Sequence, residues 1–307
     1  MNINRLYNKL CCVMQWNIGF SRGSIEQVIR QKECKLPFKW MPLNDSSASV
    51  ADPFIFKDPS GKVKLIYEDF SMTDPAKYGK IMLTTLDKAF NAGSKKEVLD
   101  AGSHASYPFV FSENGKTFII PETSHQRKVA AYEYDFANEQ LVNESTIIDK
   151  LPLLDSTIFK HSDKYWLFAT STEQGLGHSR LFIYYSDSLF GNYKAHAGNP
   201  VKDNINGSRP AGNLIKVDGE LYRPTQNCGQ HYGESISINK ITKLSENEFS
   251  EEFYFKISPD KNSKYNSGVH TINVMDDMIV IDGIRMIFMP LTKWKLFVQR
   301  KFKKGSA

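Results

Sequence analysis

The sequence predicts an all-β chain: a five-bladed β-propeller closed by its N-terminal segment and followed by a short basic C-terminal helix. Three observations carry that expectation. One hairpin phrase occurs five times. The residues that open it, Asp52, Tyr107, Asp155, Arg209 and His270, recur at intervals of about 50 residues, the period of a four-stranded blade. Strand-like segments also stand before the first repeat, while the last repeat lacks outer strands of its own.

The phrase is a polar or Pro-containing start, an apolar strand, a turn, and a second apolar strand ending in polar residues. It reads ADPFIFKDPSGKVKLIYED at 51–69, SYPFVFSENGKTFIIPETS at 106–124 and DSTIFKHSDKYWLFATS at 155–171. It returns as RPAGNLIKVDGELYRPTQN at 209–227 and, more weakly, as GVHTINVMDDMIVIDG at 268–283. The turns PSGK, ENGK, HSDK and VDGE supply the residues that tight hairpins need. Third strands follow as KIMLTTL, KVAAYEY, RLFIYYS and SISINKI, with weaker fourth strands such as EVLDAG and TIIDKL. After Asp282 the fifth repeat has neither. VMQWNIGF and PFKWMPL are expected to fill that gap, so that residues 1–45 complete the last blade and 1–284 form the propeller. Such closure removes open sheet edges. SIEQVIRQK, between those two segments, reads as a helical insertion.

Residues 285–307 form a basic tail. Trp294, Phe297, Val298 and Phe302 alternate with Lys293, Lys295, Arg300, Lys301, Lys303 and Lys304. After Pro290 this suits an amphipathic helix lying on an anionic membrane surface. The 307 residues carry a formal charge of +5, much of it in this tail, and no stripe that would recruit nucleic acid. The cysteines, Cys11, Cys12, Cys34 and Cys228, lack metal-site spacing and read as reduced thiols of a cytosolic protein. No run of about 18 apolar residues exists, and the short stretch LCCVMQW does not read as a signal peptide. The expected location is cytoplasmic, peripheral at the inner membrane face.

In a propeller the first strand of each blade lines the channel and the second runs back beside it. The start of one and the end of the other therefore open on the same face. This gathers the five opening residues with Glu68, Asp69, Glu122, Thr170, Ser171, Arg223, Gln226 and Asp282. Asp52, Asp155 and Glu122 are the candidate catalytic residues. Tyr107, Arg209, His270, Arg223, Gln226, Glu68 and Asp282 are the candidate substrate-binding residues, Tyr107 as a sugar platform. The mixture suits sugar hydroxyls, phosphates or acid/base work on a glycosidic bond. Plainer roles exist: Asp52 as a strand start, Arg209 as an ion-pair partner of an aspartate, His270 as a core histidine. Tyr232 and Glu234, in HYGES, are weaker candidates; His104, His178 and His231 read as surface or loop histidines without zinc spacing. No cofactor is called for, although a pocket cation would be compatible with such a site.

ADPFIF, SYPFVF with IIPETS, LLDSTIF with YWLFATS, YYSDSLFGNYKAHAGNPV, SRPAG with LYRPTQNC, and VHTIN with VIDG carry a family resemblance. Together they resemble the N-terminal domain of the plant glucosamine inositolphosphorylceramide transferases and its bacterial relatives. That domain is similar to the five-bladed propellers of glycoside hydrolase family 43. The resemblance runs from about Gln15 to Ile284. It implies a carbohydrate-active fold in which a blade-one Asp is the base, a blade-three Asp orients, and a blade-four Glu is the acid. Asp52 and Asp155 match the first two. At the third this chain reads SRPAG, with Arg209 where the hydrolases carry Glu. His270 matches their fifth-blade histidine.

The expected function is glycosyl transfer in the assembly of a bacterial-type cell-surface polysaccharide or glycolipid. It would use a sugar or nucleotide-sugar ligand and a glycan or lipid-linked acceptor. A family 43-like glycoside hydrolase using Asp52, Asp155 and Glu122, or a non-catalytic glycan-binding propeller, are the alternatives.

Overall fold

In the computed structural model, which describes residues 7, 8, 10–43, 45, 47–74, 76–173 and 177–304, the last six by backbone alone, the repeats become five antiparallel sheets. The chain begins with β1 (Cys12–Arg22), then α1 (Ile25–Gln31) and β2 (Lys39–Trp40). Blade one is β3 (Ala48–Lys57), β4 (Val63–Ser71), β5 (Lys80–Leu86) and β6 (Lys96–Leu99). Blade two is β7 (Ser106–Glu113), β8 (Lys116–Glu122), β9 (Lys128–Asp135) and β10 (Gln140–Asp149). Blade three is β11 (Leu153–His161), β12 (Lys164–Ser171) and β13 (Arg180–Ser186), whose outer edge is shared by the short β14 (Lys194–Ala195) and β15 (Lys202–Asp203). Blade four is β16 (Ile215–Val217), β17 (Glu220–Asn227), β18 (Ser235–Leu244) and β19 (Phe249–Ile257). Blade five starts with β20 (Ile272–Met275) and β21 (Met278–Phe288), and α2 (Pro290–Lys304) follows.

The N-terminal strands finish blade five, in the order β2-β1-β21-β20. β1 pairs with β21 without a break from Cys12 opposite Phe288 to Arg22 opposite Met278. Between β1 and β2, α1 is the expected insertion. Ser24 caps it, its hydroxyl accepting from Gln27 N at 3.2 Å. Its spacing buries Ile25, Val28 and Ile29 against blades four and five.

Apolar side chains between neighbouring blades make the core. Phe54, Phe109, Ile119 and Leu167 belong to the cluster that joins blades one to three. No helix among the described residues is long and apolar enough to cross a membrane. The side chains of Arg300, Lys301, Phe302, Lys303 and Lys304, singled out in the tail, lie outside the described residues.

The first three blades share a backbone device at their opening residues. Asp52, Tyr107 and Asp155 have φ of 51°, 41° and 52°, in the left-handed region. At each the strand pairing skips, between Ala51 and Phe54, Ser106 and Phe109, and Leu154 and Thr157. Such a bulge re-aims one side chain out of the pleat. The cost, of order 1 kcal/mol for a residue with a Cβ, is tolerated best by Asp.

The fourth repeat departs from its expected form: the repeat phrase predicts a first strand from Arg209, and β16 begins at Ile215. Before it, a single bridge joins Pro210 to Thr225. Gly212, at φ 126°, lies so close to blade five that a Cβ would come within 1.9 Å of the Ile272 carbonyl oxygen. The chain gives up strand pairing there to pack against its neighbour.

Candidate functional site

Two groups of charged side chains meet at the channel mouth. The first joins blades one and five. Asp282, on β21, is fully buried, and its Oδ1 accepts from the backbone N–H of His270 (2.9 Å) and Thr271 (3.0 Å). Its Oδ2 accepts from Asp52 N at 3.1 Å and lies 2.6 Å from His270 Nδ1. The His270 ring stacks on Trp16, centroids 3.9 Å apart, and turns Nε2 towards Asp52 Oδ1 at 3.7 Å. Thr271 Oγ1 and Tyr107 N donate to the two oxygens of Asp52, at 2.8 and 3.2 Å.

The second group joins blades two, three and four. Arg209 Nε and Nη2 donate to the two oxygens of Asp155 at 2.5 and 3.0 Å, a bidentate pair. Gln226 Nε2 adds a third bond to Asp155 at 2.8 Å. Arg209 Nη1 donates to His178 Nδ1 at 3.1 Å, and its guanidinium lies 5.4 Å above the Tyr232 ring. Glu122 Oε2 is 3.6 Å from Arg209 Nη2, and Ser124 donates to its other oxygen at 2.9 Å.

Between the groups opens a polar cavity of about 400 Å³. Asp52, Glu68, Glu122 and Arg209 line its depth; His104, His125, His178 and Tyr232 line its upper wall. Glu68 Oε1 is buried without a hydrogen-bond partner among the described residues. His104 Nε2 lies 3.5 Å from it, on a ring that burial and the nearby His125 and Arg209 hold towards the neutral form. Gly79 N donates to His104 Nδ1 at 3.1 Å, which puts the ring proton on Nε2, facing Glu68.

Burial separates the carboxyls by protonation. It lifts Asp52 to about 6 against the pull of His270, leaving it ionised at neutral pH. Burial and then the Asp155 charge lift Glu122 to about 8 despite Arg209, so Glu122 carries its proton at pH 7. Glu68 is pushed well above the carboxylate range by burial and by Asp52 and Glu122. Burial disfavours the charged form of His270, but Asp282 and Asp52 outweigh it and raise its pKa. A protonated acid, an ionised carboxylate and a fixed guanidinium around one cavity are equipped for acid/base chemistry and for holding an anion.

Residues 40–278 match the family described as glucosamine inositolphosphorylceramide transferase 1, N-terminal. The chain belongs to this family. It is 34% identical over 224 residues to the glucosamine inositolphosphorylceramide transferase 1 of Arabidopsis thaliana, covering 70% of this chain and 28% of that protein. It is 32% identical over 207 residues to the protein of that name from Oryza sativa subsp. japonica, covering 66% and 27%. The chain thus spans a little over a quarter of the length of these relatives. Among solved structures, a family 43 β-1,3-galactosidase superposes with a TM-score of 0.59 at 14% identity, covering 81% of this chain and 59% of that one. A second, bound to galactodeoxynojirimycin, superposes with a TM-score of 0.53 at 8% identity, covering 70% and 81%. These two likenesses establish the fold.

Against the family's propeller, the residues singled out from the sequence divide. Asp52, Glu68, Glu122 and Arg209 line the cavity, and Asp155 lies directly beneath Arg209. His270 and Asp282 form the ion pair behind Asp52. Tyr107 is no platform: it is fully buried, and its hydroxyl meets Thr157 at 2.8 Å and accepts from Gly212 N at 2.7 Å, under the cavity floor. Arg223 does not reach the cavity either. It pairs with Glu251 and holds the carbonyls of Gly207 and Ser208. Gln226 acts through Asp155. Glu234 bonds Gln230 N, and His231 bonds the Tyr232 carbonyl, both off the wall. His104 and His178, read as surface or loop histidines, stand with His125 on loops that rim the cavity.

One triplet of metal-type ligands converges among the described residues, Asp52, His270 and Asp282, with ligand atoms within 4.8 Å of one another. Both oxygens of Asp282 already accept from backbone N–H groups, and Asp52 accepts from Thr271 and Tyr107. His270 Nδ1 is engaged by Asp282 Oδ2 at 2.6 Å, and Asp282 and Asp52 raise its pKa, favouring the charged ring over the neutral imidazole that a metal needs. The triplet therefore fits an internal ion pair better than a metal centre.

Proposed function

We propose that the chain takes part in glycosyl transfer and that the cavity holds the donor sugar. Arg209 carries this reading: it stands where the family 43 pattern carries the general acid, and Asp155 locks it in place. A glycosidic oxygen needs a proton to leave. A phosphate leaves as an anion and needs charge stabilisation instead, which a guanidinium supplies. Asp52, ionised at neutral pH, would accept the proton of an acceptor hydroxyl as its oxygen attacks the anomeric carbon. The bond to phosphate breaks, and its electron pair stays on a phosphate oxygen facing Arg209 and His178. Glu122 and Glu68, both protonated, would hydrogen-bond sugar hydroxyls. A cytoplasmic enzyme assembling a cell-surface glycan would meet such donors together with lipid-linked acceptors.

The test is calorimetry of the purified chain with nucleotide sugars and with free oligosaccharides, repeated on Arg209→Ala and Asp52→Asn. A nucleotide sugar that binds the wild type, binds Arg209→Ala about 100-fold more weakly, and is turned over by the wild type but not by Asp52→Asn supports transfer. Binding and cleavage of oligosaccharides alone would replace it with a hydrolase in which Glu122 is the acid. Binding without turnover of either class would favour a glycan-binding module, a reading that the quarter-length match to the relatives also suits.

A further inference from the structure

We infer that α2 and the projecting end of the paired strands β1 and β21 form a docking surface for an anionic lipid bilayer, on the same side of the propeller as the cavity mouth. β20 is preceded by His270 and Thr271 at the mouth, and β21 passes that level at Asp282. It then continues to Phe288, paired throughout with β1. Six further residues at about 3.3 Å each carry the strand pair roughly 20 Å out on that side. α2 starts at its tip, where Met289 N donates to Cys11 O at 2.9 Å.

The surface there is apolar and wet. Leu291 is 83% exposed, Trp294 68% and Phe297 56%. Beside them Phe288 and Leu10 are also exposed, and Tyr7 stacks on Phe288 with ring centroids 5.7 Å apart. Large apolar side chains gathered this way mark an interaction site. The charge selects the partner. α2 reads PLTKWKLFVQRKFKK, six basic residues and no acidic one. A second copy would bring like charge against like charge. A polyanion would use the cations but leave Leu291 and Phe297 in water. An anionic bilayer meets both, the cations at the headgroups and the apolar residues at the acyl boundary. The cavity would then open towards the bilayer. That this brings a lipid-linked acceptor within reach rests on the glycosyl-transfer reading; the docking itself does not.

The test uses sugar-free vesicles, so it can fail independently of the catalytic proposal. The full chain is sedimented with phosphatidylcholine vesicles with and without phosphatidylserine, and tryptophan emission is followed. Anionic vesicles should bind at least about tenfold more protein than neutral ones, with emission shifting to the blue. Leu291→Ser with Phe297→Ser should lower that binding about tenfold, with the melting temperature followed alongside to show that the fold is kept. Trp294→Phe should keep the binding and lose most of the blue shift. Binding indifferent to lipid charge, or to Leu291 and Phe297, would overturn the proposal. So would self-association, or capture by a polyanion such as heparin, in a chain that ignores vesicles.

Discussion

Blade four holds two buried arginines that make the same bidentate pair with a carboxylate and serve different ends. Arg223 meets both oxygens of Glu251, at 2.8 and 2.6 Å, and bonds the carbonyls of Ser208 and Gly207 at 3.1 and 2.7 Å. Lys202 also meets Glu251, at 2.6 Å. All of Arg223's partners are fixed protein groups. Arg209 meets Asp155 just as tightly, yet its outer edge faces the cavity, where His178, Tyr232 and the more distant Glu122 surround it. The two are linked, because the carbonyls that Arg223 grips belong to the residues just before Arg209. One arginine anchors the loop and the other presents its charge from it.

Removing each partner should break that likeness. Arg223→Ala strands Glu251 in a closed interior and should cost about 3–5 kcal/mol in denaturant unfolding. Arg209→Ala leaves its carboxylates beside a wet cavity, where they can hydrate or take up a proton. The expected cost is about 1–3 kcal/mol, and a loss equal to that of Arg223→Ala would erase the distinction.

Glu122→Gln sharpens it further through pH. The folded state holds a proton on Glu122 up to about 8, whereas an ordinary carboxyl loses it near 4.5. The native state binds more protons in that window, so stability falls as pH rises across it. The raised pKa values of Asp52 and His270 act in the same direction. Glu122→Gln should flatten the fall and gain on the order of 1 kcal/mol at pH 8, measured as unfolding midpoints from pH 5 to 8; an unchanged slope would mean that Glu122 is ionised in the folded state. The smallest effect is expected at Tyr232→Leu, which removes the ring 5.4 Å from the Arg209 guanidinium. It should cost about 0.5–1 kcal/mol in the same unfolding assay and leave the Arg223 anchor untouched.

The propeller was legible because its signal is local and repeated: two strands, a turn, and a recurring polar start. N-terminal closure was legible as a count of missing strands. Within the site, Asp52 and Asp155 stood out by recurrence, and the backbone bears them out as equivalents with the same bulge. Tyr107 shares that bulge, but its length carries the hydroxyl across to Gly212, so equivalence of backbone did not mean equivalence of role. Arg223 and Asp282 sit on second strands buried on both faces. No alternation of polar and apolar residues there separates the channel side from the blade side. His104, His125 and His178 belong to loops that differ from blade to blade, so periodicity says nothing about them.

Closure also sets a timetable. β1 is made before every other strand of the propeller, and its partner β21 after all of them. At about 5–20 residues per second, β1 waits some tens of seconds with the edge that β21 covers unmatched. Blades one to four can assemble as they emerge, since their strands pair with near neighbours. The ring cannot. Its final step joins the first-made strand of the propeller to the last-made, and until then β1 lacks the partner that closes the ring.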